Sequence, residues 1–297
     1  MYNIIGHKNI FLTASAVLVG LALLAIALFG FRQGIDFTGG TLWQIKVPSL
    51  AASELHEFFK VKLNIPEAIT AFDAQNSSFL VRLPSITEED HQKYLSELRA
   101  AYPGLTELGF QSIGPSVGRE LRGKAFIARA LVLIGISLYI AFAFRKISRP
   151  VASWKYGVIT LLTLFHDVLI PAGFLSILGR FSGVEVDTNF MVALLVVMGF
   201  SVHDTIVVFD RIRENLSLDR GKTPFAAVIN ASVNQTLGRS VNTSLTLILV
   251  LVALLFVGPS ALFYFVLTLL IGVSVGIYSS IFVASPALLL VNRGKRT

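Results

Sequence analysis

The chain has 297 residues, of which 54% are hydrophobic and only 14% charged. A soluble domain is about a quarter charged because its surface must be wetted, so a wholly soluble protein is excluded. Its formal net charge is +7, from 25 basic and 18 acidic residues, and the absence of cysteine excludes disulfides, thiolate metal sites and cysteine nucleophiles.

Residues 10–31 form one uncharged apolar run of 22 residues, against about 20 needed to cross a bilayer. A signal peptide is the rival reading, since Ala25-Ile26-Ala27 resembles a cleavage site. That tripeptide lies inside a run too long for a signal core, so an uncleaved first span is expected.

Segment 32–124 has soluble texture, with ten basic and eleven acidic residues, a net of −1. The remainder carries 15 basic and seven acidic residues, or +8, which sits mainly in loops and gives no sign of a nucleic-acid partner. Within the insert, Thr41–Val47 alternates like a strand and 51–62 has helical spacing. Segments 67–73 and 78–83 read as strands around Gln75-Asn76-Ser77. Residues 86–101 open on an acidic first turn, as a helix does, and 105–113 reads as a last strand. This β-α-β-β-α-β order predicts an α+β ferredoxin-like domain. No catalytic constellation is visible in it, and His56 and His91 are expected on solvated helix faces.

Apolar runs resume at 125–144, 156–179, 188–209, 240–258 and 261–291. The expected fold is therefore an α-helical membrane protein of six transmembrane helices, with the insert after the first. The domains are 1–31, 32–124 and 125–297. Basic loop residues set orientation. Arg145, Lys146, Arg149, Lys155, Arg211, Arg213, Arg220, Lys222, Arg293, Lys295 and Arg296 fall on the same side as Lys8. Both termini are thus expected in the cytoplasm and residues 32–124 outside it.

Ionisable groups at membrane depth are costly and mark function by default. They are His166-Asp167 in the third span, His203-Asp204 in the fourth, and Arg239 at the start of the fifth. A buried carboxylate that switches between an Arg-paired and an unpaired state can carry a proton. Asp204 and Arg239 are nearly equidistant from Gly221, so an antiparallel hairpin places them at similar depth. Segment 224–236, starting at Pro224, reads as a separate amphipathic helix that would alter this arithmetic. A static pair fixing helix register is the alternative, and His166-Asp167 reads equally well as a structural hydrogen bond. His203 is expected as a neutral hydrogen-bonding group. Asp210, Arg211, Arg213 and Glu214 are expected to pair at the interface. Gly272 and Gly276 form a GxxxG packing element.

Nucleotide chemistry is not expected. Gly221-Lys222-Thr223 ends like a Walker A loop, but Leu216 stands where its first glycine must be. An ion gradient or a partner must therefore supply energy.

Four motifs together resemble one family. Gly34-Ile35-Asp36-Phe37-Thr38-Gly39-Gly40 follows the first span and Gly114-Pro115-Ser116-Val117-Gly118 precedes the second. The stretch from Gly199 to Asn215, with Ser201-Val202-His203-Asp204-Thr205, lies in the fourth. Arg239-Ser240-Val241-Asn242-Thr243-Ser244 opens the fifth. They are similar to the SecD/SecF family of protein-export membrane proteins, on its SecF side, within the RND superfamily. The resemblance covers nearly the whole chain. It implies half of an RND-type bundle paired with SecD as a heterodimer beside the SecYEG translocon, with YajC and YidC as further candidate partners. It implies use of the proton motive force on preprotein substrates at the bacterial inner membrane, and no enzyme activity, cofactor or metal. By the same resemblance Asp204 and Arg239 belong to a proton relay, with Thr243 one turn on, joined as candidates by His203, Asp167 and His166. Where this chain has His203 the family often has Asn. Gly34, Asp36, Gly39 and Gly40 are expected as a hinge or turn, with Asp36 capping or pairing locally. A small-molecule efflux half-transporter and a purely structural translocon scaffold are the competing readings. The former predicts larger outer domains than this insert.

Overall fold

The structure is a computed structural model describing residues 2–48, 50–73, 77–143 and 151–292. The basic residues at 145–149 and 293–296 and the turn residues Gln75 and Asn76 lie outside it. The chain divides into two compact units, one of residues 1–32 with 128–297 and one of residues 33–127.

The chain opens with helix α1 (Lys8–Phe29). The smaller unit then holds the one-turn helix α2 (Ile35–Thr38), β1 (Gly40–Lys46), α3 (Ala52–Glu57), β2 (Ile69–Asp73), β3 (Ser78–Leu83), α4 (Glu88–Ala101) and β4 (Thr106–Ile113). The sheet is antiparallel in the order β2-β3-β1-β4. Alternation dictates the buried face. Thr41, Trp43 and Ile45 point inward from β1 and meet Phe79, Val81 and Leu83 from β3. Leu55 and Phe59 from the first helical segment and Leu95 and Leu98 from α4 cover that face. The helix expected over 51–62 is present, but its second half, Phe58–Lys62, widens into a π-helical turn. At the start of α4 the Thr87 hydroxyl accepts from Asp90 N at 3.2 Å and donates to Asp90 Oδ2 at 2.8 Å, satisfying a free helix-end donor.

Two glycine motifs lock together in this unit. Gly39 and Gly40 sit at φ +75° and +122°, and a Cβ on Gly39 would lie 2.9 Å from Pro115 Cα. A Cβ on Gly118 would lie 2.8 Å from Gly39 N. The backbones touch where only glycine fits. Asp36 accepts a long bond from Gln111 Nε2, at 3.4 Å.

Helix α5 (Pro115–Ala143) leads out of the smaller unit. The larger unit continues with α6 (Ser153–Ser182), α7 (Thr188–Asp219), α8 (Phe225–Val257), α9 (Phe263–Ser279), a π-helical turn at Ser280–Ala284, and α10 (Ser285–Val291). Among the described residues five helices are long and apolar enough to span a membrane, at Ile5–Phe29, Ser153–Ser182, Thr188–Asp219, Phe225–Val257 and Phe263–Val291. The remaining expected span, the second in chain order at 125–144, falls on α5, which is described only to Ala143.

Small residues bring these helices close. Gly173 of α6 lies so near α1 that a Cβ there would come within 2.5 Å of Ala22 Cα. Gly272 of α9 packs on Val197 of α7, so the predicted GxxxG element is a packing contact. The separate helix expected over 224–236 is not separate. Residues 225–257 form one continuous helix, whose first turns are tied to α7 by Asn215 Nδ2 to Ser232 Oγ and Gln235 Oε1, both 2.8 Å. The chain's start also docks there, with Ile5 N donating to Asn230 Oδ1 at 3.2 Å and Tyr2 N to Asn234 Oδ1 at 2.8 Å. Lys155 Nζ donates to Val291 O at 3.0 Å. The Gly221-Lys222-Thr223 turn, with Gly221 at φ +79°, is closed by Asp219, which accepts from Thr223 N at 2.8 Å and from the Thr223 hydroxyl. It is a hairpin turn between α7 and α8.

Candidate functional site

Helical phase decides which polar side chains enter the larger unit. On α7 the buried stripe runs through Ser201, Asp204, Thr205, Val208 and Ile212, at the three-to-four-residue spacing of one helix face. On α8 it runs through Val233, Thr236, Ser240 and Ser244. On α6 it includes Thr163, His166 and Asp167. These stripes converge with the Ser279-Ser280 pair at the end of α9.

Asp167 is the most enclosed of the group, at 0% exposure. Its Oδ2 accepts from Ser201 Oγ on α7 at 2.5 Å and from Ser279 Oγ on α9 at 2.6 Å. Its Oδ1 lies 2.8 Å from His166 Nδ1, while His166 Nε2 has no partner among the described residues. Three helices meet on one carboxyl group.

Asp204 is also buried, at 6% exposure, but differently partnered. Its Oδ2, like Ser240 Oγ and Ser244 Oγ, has no hydrogen-bond partner among the described residues. Ser240, His203 and Ser280 are nevertheless near enough to act on its carboxyl. Ser280 itself shares a 2.9 Å bond with Thr205 and donates to Gly276 O at 2.9 Å. A π-helical turn begins at Ser280, a distortion often found at functional sites.

The other sequence candidates fall outside this cluster. Arg239 is exposed and forms no ion pair with Asp204 among the described residues. It lines a cavity of about 450 Å³ with Val207, Asp210, Arg211, Glu214, Gln235 and Thr236. The expected pairing fails by one residue of helical phase. The residue of α8 turned toward Asp204 is Ser240, and Arg239 is rotated about 100° away from it. Thr243 shares the exposed face with Arg239. His203 is likewise exposed and lines a cavity of about 490 Å³ with Gly135 and Tyr139 of α5. Asp210 and Arg213 pair at 3.0 Å and Arg211 and Glu214 at 2.7 Å, as their spacing predicts. Among the described residues no group of His, Asp and Glu is arranged to hold a metal ion.

Ser279 and Ser280 were not legible as site residues. Their only signal is two adjacent hydroxyls in a run of 53 residues without charge. Serine in a membrane helix commonly bonds its own backbone, so sequence alone does not separate the two uses.

In the smaller unit His91 departs from its expected solvated position. It is 4% exposed, stacked on Phe110 at 3.6 Å, with Nε2 2.7 Å from Glu107 Oε1 and Nδ1 3.2 Å from Glu88 Oε1. Trp43 Nε1 donates to the same Glu107 oxygen at 2.9 Å. Bonds from Gln92 and His91 hold the Glu88 carboxyl below its ordinary range.

A buried carboxylate network across long apolar helices, with a small α+β unit inserted after the first, defines a membrane protein of transport type. The family described as protein export membrane protein SecD/SecF, C-terminal, matches residues 93–294, and the SecD/SecF GG motif matches residues 24–47. The protein translocase subunit SecF of Thermobaculum terrenum is 44% identical over 98% of this chain and 94% of its own length. That of Pseudomonas aeruginosa is 35% identical over 98% of this chain and 91% of its own. A crystal structure of SecDF, a translocon-associated membrane protein from Thermus thermophilus, superposes with a TM-score of 0.84 at 38% identity. That match covers 99% of this chain and 39% of the longer SecDF chain. The chain belongs to the SecD/SecF family of protein export membrane proteins.

Proposed function

We propose that this chain is the SecF half of an accessory unit of the Sec translocase, which uses the proton motive force to promote and complete preprotein export across the cytoplasmic membrane. The observation that carries the reading is Asp204, an ionisable group buried among membrane-spanning helices with one carboxyl oxygen unpartnered among the described residues. Such a group can take up and release a proton at modest cost to local packing. One charge crossing about 100 mV yields about 2.3 kcal/mol, enough to shift a two-state helix arrangement by a factor of tens.

In this reading the bundle has six spans, α5 supplying the second. The smaller unit is an extracytoplasmic ferredoxin-like domain, and both termini are cytoplasmic. Gathering of the chain start, Lys155, the α7–α8 turn and the end of α10 through the contacts above supports that orientation. SecD is the partner. Support comes from the exposed polar stripe Gln235, Arg239, Asn242, Thr243 and Thr246 on α8, because polar faces within a bilayer are covered by protein rather than lipid. Arg239 and Thr243 then join the relay at that interface rather than inside this chain, and SecYEG is the channel served.

The test is export in inner-membrane vesicles carrying the full complex with Asp204→Asn. The gradient-stimulated part of export is expected to vanish while SecD still co-purifies. Undiminished stimulation would overturn the relay and favour a structural scaffold. Drug sensitivity without an export defect in a strain lacking the chain would favour small-molecule efflux.

A further inference from the structure

The two buried aspartates are built for different tasks. Asp167 is partnered at both oxygens, since two hydroxyls from two other helices converge on Oδ2 and His166 Nδ1 faces Oδ1. A serine hydroxyl has one hydrogen. Ser279 Oγ also lies 3.1 Å from Gly276 O, and its 2.6 Å contact with the carboxyl is the shorter one. Oδ2 therefore only accepts, from two hydroxyl donors on two helices.

The two grips of Asp167 bracket Asp204. Ser201 lies three residues before Asp204 on the same face of α7. Ser279 immediately precedes Ser280, whose hydroxyl meets Thr205 beside Asp204. The π-helical turn lets consecutive serines serve different partners, Ser279 reaching α6 and Ser280 reaching α7. A Cβ on Gly276 would lie 3.8 Å from Asp167 Oδ2 and 3.6 Å from Ser201 Cβ, so α9 is seated directly on this junction.

We propose that Asp167 is a positioning residue for Asp204. Its carboxyl clamps α7 and the start of the π-helical turn through Ser201 and Ser279, and so sets where Ser280 stands relative to the Asp204 carboxyl. Its part is positional, exerted through those two hydroxyls. The proposal rests on the relay reading of Asp204. The titratable groups at this junction are His166 on α6, Asp204 on α7 and Tyr278, which stacks with His166 at 6.4 Å, while His203 stands next to Asp204 on the outward face of α7. Helix α8 turns Ser240 and Ser244 inward, and α1 has Lys8 at its start as its one charge.

The experiment measures gradient-stimulated export by the full complex in vesicles across pH, normalised to assembled complex. The variants are Asp204→Asn, Asp167→Asn, Ser279→Ala and the Ser201→Ala/Ser279→Ala double. The double variant keeps the Asp167 carboxylate but removes its grips. It is expected to reproduce Asp167→Asn, with a rate reduced about tenfold, the upper end of the scale for one lost hydrogen bond. Both should move the pH midpoint by about half a unit or more in the same direction, and Ser279→Ala should do so by less. Wild-type rate and midpoint in the serine variants, with Asp167→Asn inactive, would make Asp167 a carrier and overturn the proposal. Slower export with an unmoved midpoint in all of them would reduce it to packing and overturn it too. If Asp167→Asn fails to assemble, Ser279→Ala decides by the same criteria. Undiminished stimulation in Asp204→Asn would instead overturn the relay reading.

Discussion

Each unit buries one histidine against a carboxylate, yet the two sites differ in how the charge is kept company. In the smaller unit His91 faces carboxylates at both ring nitrogens, Glu107 half-buried beside Trp43 and Glu88 largely exposed to solvent. Water and exposed side chains can complete whatever bond is lost there. In the larger unit Asp167 depends on hydroxyls supplied by neighbouring helices, and His166 Nε2 has no partner among the described residues. A lost bond in such a place has no solvent to replace it. The same pair of residue types therefore makes a forgiving brace in one unit and an exacting junction in the other.

Three changes break or sharpen that contrast. The largest effect is expected from Trp43→Ala, which removes a fully buried side chain and the donor to Glu107. It should destabilise the smaller unit by about 3–5 kcal/mol, read from proteolysis-coupled unfolding of the purified chain. An effect below about 1 kcal/mol would mean that the sheet does not depend on this brace. Glu107→Gln keeps an acceptor oxygen for Trp43 and His91 but removes the charge. It should cost about 1–2 kcal/mol by the same assay.

The smallest effect concerns acid. The Glu88 carboxyl is held below its ordinary range by Gln92 and His91. A carboxyl whose folded pKa is depressed contributes stability above its unfolded pKa, about 4.3, and loses it as pH falls through the folded value. Glu88→Gln should therefore lower the stability of the smaller unit slightly near neutrality and flatten its fall below about pH 4.5, where the variant and the parent converge. An unaltered acid slope would show that the Glu88 contacts do not persist in solution.

Much of the architecture was legible because it follows from periodicity. The alternation of Thr41, Trp43 and Ile45 announced β1, and the acidic turn at Thr87-Glu88-Glu89-Asp90 announced the start of α4. The charge-free stretch after Arg239 announced the last two spans. His91 was misread because a histidine among charged neighbours looks solvated until the sheet behind it is known. The break expected near residue 236 was misread because polar residues at the start of α8 contact α7 and the chain's start through side chains far apart in sequence.

The candidate site shows the same division at finer scale. Composition and hydropathy alone determined that this protein lives in a membrane, where its insert lies along the chain, and that Asp167, Asp204 and Arg239 are its costly charges. Even the depth of Asp204 against α8 was legible to within one residue. Only the tertiary structure decided that Ser240 rather than Arg239 turns toward Asp204, and that Ser201 and Ser279 close on Asp167. The reason is physical. Burial energy is written in composition, which is local, whereas a helix rotates about 100° per residue. Which side chain meets which across an interface depends on accumulated phase and on a π-helical turn, and neither leaves a mark in the sequence.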